Sequence, residues 1–400
     1  MHGIVALCLV ACPLLAAQIP PPTGLPSHPS FIKKTWYIGG RGDWGYLTVD
    51  PKAGQLLIAH GPVVQVVDVE SGALAGQVTG LRNAQAVALD DAGAFAYVSD
   101  TQAAEVKVFD RRTFKVVATI PTGPGPRAIV FEPASRLVFA VGADPIPQLP
   151  PPNQPRGTRP IPNPRPRSSL TVIDTQSNTA IATILLAGKL GFAQAGGSGQ
   201  IFINIEDRNQ IARIDAQTVQ ARVQEARPDA GPAGVILDWS DLPRAAPSSG
   251  NRVVFFPVAQ DCHDLGGLAV DILHGRLFAA CGNMRMNILN ASTGEVVASL
   301  PTGPGTEAIG YDPDRSLIYS ANGGANGSLT IIRQDVTDSY SVVQNLPTRR
   351  RARTLAVNSS TGEIYLVTDI IGVRLDTQGS IGAVQSAPVN GSFQVLVIGN

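Results

Sequence analysis

Charge is scarce in this sequence, and it cancels. Only 16% of the 400 residues are charged, with 31 Lys and Arg against 31 Asp and Glu. A chain without net charge has no global field to gather nucleic acid or an anionic membrane, so binding by bulk charge is disfavoured and only local patches remain. Aromatic residues make up 6%. That is too few for the basic, aromatic-lined groove a single-stranded nucleic-acid binder needs. Histidine is rarer still: past the first stretch only His28, His60, His263 and His274 occur. The common catalytic signatures are missing as well. There is no Gly-x-Ser-x-Gly elbow, no His-Glu-x-x-His and no Cys-x-x-Cys-His. No segment after the first twenty residues is apolar for long enough to span a bilayer.

Glycine, proline and apolar residues are plentiful instead: 41 Gly, 32 Pro and 44% hydrophobic. This composition suits many short strands joined by tight turns. Ile4 to Ala17 is an apolar run ending in small residues, followed by a Pro-rich leader over 18–30, and reads as an export signal over 1–17. Cleavage near Ala17 is the expectation. Leu9-Val10-Ala11-Cys12 also resembles a lipobox, which would make Cys12 a lipid anchor. The chain is thus expected to be periplasmic or extracellular. Outside the signal only Cys262 and Cys281 remain, and an even pair in an exported chain reads first as a disulfide. Free thiols, or a metal site shared with His263, are the alternatives, although the spacing matches no zinc pattern.

Internal repetition decides the architecture. One half-unit recurs at 66–78, 108–123, 172–184, 213–223 and 288–303, as in VFDRRTFKVVATIPTG. The other recurs at 46–60, 86–100, 128–142, 267–281, 308–322 and 354–369, as in AIGYDPDRSLIYSAN, with a degenerate copy at 192–207. Without insertions the period is about 40 residues, as propeller repeats typically show. Each copy reads as a four-stranded meander. Asp68, Asp110, Asp174, Asp215 and Asn290 close the third strand before a polar turn and are expected to cap that turn. Seven inner hairpins are present, but after Asp369 the chain offers one further strand, at 393–399. Residues 31–39 are therefore expected to supply the missing fourth strand and close the ring. The expected fold is all-β: a seven-bladed propeller of four-stranded antiparallel blades over 31–400.

Tyr97-Val98-Ser99-Asp100, Tyr319-Ser320-Ala321-Asn322 and Tyr365-Leu366-Val367-Thr368-Asp369 resemble a Tyr-Val-Thr-Asn signature. They alternate with Ile120-Pro121-Thr122-Gly123 and Leu300-Pro301-Thr302-Gly303. Over about 31–399 the chain is similar to the bacterial YVTN-repeat propellers of the YncE-like group. Gly42 to Asp50, Cys262 with Cys281, and Arg351 to Thr354 resemble that group too. The resemblance implies an exported propeller without an assigned reaction. The wider superfamily includes quinoprotein dehydrogenase subunits and lactone-cleaving enzymes, so the fold does not choose a chemistry.

In a propeller the connections between strands two and three, and from strand four to the next blade, emerge on one face. Two long insertions are assigned there. The first, about 143–168, is a Pro-rich loop with four Arg inside blade three. The second, about 226–263, is read as the connector into blade five and carries Trp239, Phe255 and Phe256. Long loops on a rigid scaffold are where binding resides. Asp43, Trp44, His60, Arg127, Glu206, Asp207, His263, Glu307, Asn322 and Arg353 fall near the same face and are the candidate ligand contacts. Arg349-Arg350-Arg351 adds a local basic cluster. The leading expectation is a scaffold that binds a small molecule or protein at this mouth. The competing one is a metal- or cofactor-dependent enzyme with Glu206, Asp207, Asp43 and His60 as ligand candidates. The sequence names no cofactor.

Overall fold

A computed structural model describes residues 29–91, 93–143, 167–226, 234–240, 253–336, 338–374 and 385–400. The export signal, Cys12 and most of the leader and first insertion lie outside these residues.

Seven antiparallel sheets surround an axis, each with its first strand innermost. Blade one runs Trp44–Asp50, Gln55–His60, Val63–Asp68 and Leu74–Val78, and the others repeat this meander. The last blade takes Leu355–Asn358, Glu363–Thr368 and Gln394–Gly399, and its outer strand is Phe31–Tyr37 from the start of the described chain. Phe31 faces Gly399 and Tyr37 faces Gln394. The expected ring closure is thus present, with seven blades.

The third residue of strand two is large and apolar in every blade: Leu57, Tyr97, Phe139, Phe202, Phe278, Tyr319 and Tyr365, none more than 3% exposed. These side chains fill the wedges between blades, which is why the tyrosine of each repeat signature recurs. At the other end of the hairpin, acidic groups close strand one. Asp50, Asp90, Glu132, Asp271 and Asp312 are all buried. Several are gripped by the next blade: Asp50 by Arg111, Asp90 by Arg136 at 2.8 Å, Glu132 by the Gly199 N–H at 2.9 Å. Buried carboxylates persist only when so paired.

The turn caps after strand three are as expected. Asp110 accepts from the N–H groups of Arg112 and Thr113 at 3.0 and 2.7 Å, and Asn290 accepts from Ser292 and Thr293 at 2.9 and 3.1 Å.

Three features differ from the sequence reading. The segment 213–223, read as a strand–turn–strand, leaves its strand at Asp215 and forms a helix, Ala216–Ala226. Asp215 accepts from the Thr218 N–H at 2.8 Å, an N-cap, and Val219 and Val223 are buried one turn apart. The second insertion is consequently not the connector into blade five. Blade four receives its fourth strand only at Val253–Pro257, so the insertion joins strands three and four of blade four and leaves from the opposite face. Part of it, Val235–Asp238, pairs parallel with the outer strand of blade three as a fifth strand. Trp239 and Phe256 are buried core residues. Third, an extra ribbon, Ile371–Arg374 with Gln385–Pro388, sits between strands two and three of blade seven, where a single strand was expected.

Candidate functional site at the channel mouth

The first strands of all seven blades line an axial channel of about 420 Å³. They approach backbone to backbone: a Cβ on Gly45 would fall 2.0 Å from the Gln85 carbonyl oxygen, and one on Gly267 would fall 2.6 Å from the Ile309 nitrogen. In blades one to six the register slips at the start of strand one. Such bulges re-aim side chains at the rim of a closed sheet. Here the extra residues include Arg127 and Glu307.

Four of the candidate residues meet in one network. Arg353 contacts Glu307 through Nε at 2.5 Å, and its Nη2 donates to both Asp43 oxygens and to the Trp44 carbonyl at 3.2–3.3 Å. The Trp44 ring is buried, and the guanidinium groups of Arg351 and Arg353 lie 4.7 and 4.9 Å from its centre. Arg351 also donates to both Asp369 oxygens at 2.9 Å and reaches Asp43 at 3.2 Å. In the sequence Arg351 enters only as a member of the basic cluster Arg349-Arg350-Arg351, able to grip an anion or simply to be solvated, and Asp369 only as the end of a repeat signature; their pairing is not visible there. Its positive φ of 69° turns the chain at that point.

Just inside the mouth is Tyr46, edge-on to Phe192 at 4.8 Å. Burial raises the Tyr46 phenol pKa, and the carboxylates of Glu307 and Glu206 raise it further, against Arg353 and Arg127. Glu307 is also pushed up, chiefly by withdrawal from water, with Arg353 opposing and Asp43 adding to the shift. Glu206 pairs with Lys189 at 2.6 Å, and Asp207 accepts the Lys189 N–H at 2.7 Å.

His60 and Asn322 have a different role. Each ends strand two and is almost wholly buried. The His60 ring nitrogens lie 2.8 Å from Gln65 Oε1 and 3.2 Å from the Gly42 carbonyl. Asn322 accepts from Thr306 and Ser320 at 2.6 and 2.9 Å and donates to Ser328 and Thr330 at 3.0 and 2.9 Å. Blades two and seven use this position alike. Asp100 accepts the N–H groups of Arg82 and Asn83, and Thr368 donates to the Arg350 carbonyl. In blade five the position is Cys281, and the disulfide to Cys262 ties down the incoming loop instead. In five blades the position thus anchors the incoming loop, whereas blades three and four have Gly142 and Ile205 there. The recurring Asp, Asn or Thr at the end of the repeat signature was the sequence signal for this. His263, exposed, lies in the loop held by that disulfide.

Glu206, Asp207, Asp43 and His60 do not converge as a ligand set, and among the described residues no three His, Cys, Asp or Glu side chains gather to hold a metal. No helix among them is long and apolar enough to cross a membrane.

No family model and no curated protein matches this sequence. Among solved structures, a chain in the crystal structure of the mitotic checkpoint complex superposes with a TM-score of 0.60. The match covers 91% of this chain and 95% of that one, at 14% identity. The likeness shows the fold. This chain is a seven-bladed β-propeller.

Proposed function

We propose that the chain is an exported binding propeller of the YVTN-repeat, YncE-like kind, which engages its ligand on the face bearing the two-to-three and four-to-one loops. One observation carries this reading. Five blades contribute charged side chains at one end of the channel: Asp43, Arg127, Glu206, Glu307 and Arg353. In blades three and seven, strands two and three are joined by longer stretches of chain than elsewhere, and those strands end and begin on the same face. Polar groups convergent at a concave mouth are what a recognition site requires. Export is supported by the apolar run at 4–17 and by the disulfide, which forms and persists in oxidising compartments.

Photo-crosslinking in the native host tests the binding face. A benzophenone side chain replaces Arg82, exposed on the mouth face, or Leu273, exposed on a hairpin of the opposite face. Specific adducts from position 82 alone are expected. Adducts from 273 alone, equal adducts from both, or none from either would overturn the assignment. The intact mass of the exported chain tests its N-terminus, with cleavage near Ala17 expected and a diacylated Cys12 the contrary outcome.

A further inference from the structure

The loop Gly39 to Asp43 enters blade one beside the ribbon of blade seven, and between them lies a pocket of about 530 Å³. Small-molecule sites typically occupy roughly 300–1,000 Å³. The floor is aromatic, with His60 lying on Phe393 at 3.9 Å between ring centres. Pro388 and Val389 form an apolar wall. The loop can lie this close because residue 40 is glycine: a Cβ there would fall 2.4 Å from His60 Cε1, and its φ is +124°.

Donors and acceptors in the pocket are unequal. The Asp43 and Asp369 carboxylates are engaged by Arg351 and Arg353. Arg41, exposed at the rim, has no side-chain partner among the described residues, and the N–H groups of Gly40, Arg41 and Gly42 have none either. Unused N–H donors beside an aromatic floor favour an acceptor-only head on an apolar body, and the guanidinium fork matches a planar carboxylate with two parallel hydrogen bonds.

We propose that this pocket binds a small carboxylate with an apolar body, its head held by Arg41 and the Gly40–Gly42 amides and its body on Phe393 and Val389. The inference takes the mouth face as the binding face and adds the chemistry of the ligand.

Titration calorimetry of the purified chain tests it with three probes: phenylacetate, its neutral isostere phenylacetamide, and phenyl phosphate. Phenylacetate is expected to bind best, with the amide at least about tenfold weaker, as loss of one charge-assisted hydrogen bond implies. Arg41→Ala should weaken phenylacetate by a similar factor, and Arg82→Ala, on the same face, should leave it unchanged. Equal binding of acid and amide, tighter binding of the phosphate, an unaffected Arg41→Ala or no phenylacetate binding would each overturn the proposal. Mouth-face crosslinks without carboxylate binding would sink this inference alone, whereas crosslinks confined to position 273 would remove the reading beneath it.

Discussion

Asn322 and Glu206 were both candidate ligand contacts, and their surroundings now separate them. Asn322 uses all its hydrogen-bonding capacity on four hydroxyls in a site closed to water. Asn322→Ala would leave those hydroxyls buried and short of partners, a loss of about 3 kcal/mol. Glu206 is partly exposed beside Lys189, and Glu206→Gln should change stability by no more than about 0.5 kcal/mol. Urea unfolding of the two variants checks the contrast. The turn carboxylates add a pH signature. Hydrogen bonds from Thr113, first from its N–H and then from its hydroxyl, hold the Asp110 pKa below the usual carboxylate value. A depressed folded pKa means that the unfolded chain binds the proton first. The stabilisation is therefore complete above about pH 4, the unfolded value, and is lost as pH falls through the folded one. Asp110→Asn keeps the accepting oxygen but not the charge. Its deficit against the native chain should shrink when unfolding is repeated at about pH 3 rather than pH 6.

Elements were legible in proportion to how closely they follow the repeat. Alternating runs such as FAYVSD and LIYSAN read as strands and are strands. The segment after Asp215 was misread because the repeat assigned it a strand before its own periodicity was weighed. Ala216, Val219 and Val223 recur at helical spacing, and all three are buried. Cutting the cap with Asp215→Ala should cost about 1 kcal/mol and reduce the small helical signal in circular dichroism. Asp174→Ala, which loses a turn cap between two strands, should leave that signal intact. The loop anchors were only half legible. The sequence places His60, Asn322 and Cys281 near the mouth, but whether a polar residue there faces a ligand or its own incoming loop depends on contacts between segments far apart in the chain. The partners of Arg351, named in the sequence only as part of a basic cluster, were hidden for the same reason, since Asp369 and Asp43 lie 18 and 308 residues away.

Closure of the ring is where local signals meet a global constraint. In six blades the four meander strands follow one another along the chain, while the seventh blade draws its four from residues 31–37 and 355–399. Trp36 anchors the shared strand. Its ring stacks on Tyr365 at 5.7 Å, and it packs so closely over Gly72 of blade one that a Cβ there would fall 2.4 Å from the indole. The residue therefore ties blade seven to the strand it borrows and to the neighbour it must meet. Lys33 and Lys34 lie on the same outer strand, where charge discourages pairing with another chain. Trp36→Ala removes a large buried ring that cannot be replaced by local repacking, and should cost about 3 kcal/mol. The same substitution at exposed Lys34 should cost less than about 0.5 kcal/mol. Hydrogen exchange gives the sharper reading. If the first strand locks the ring, protection in Trp36→Ala should fall in Gln394–Gly399 and in blade one together, while blades three to five keep theirs. A loss confined to residues 31–37 would show that the strand only covers an edge.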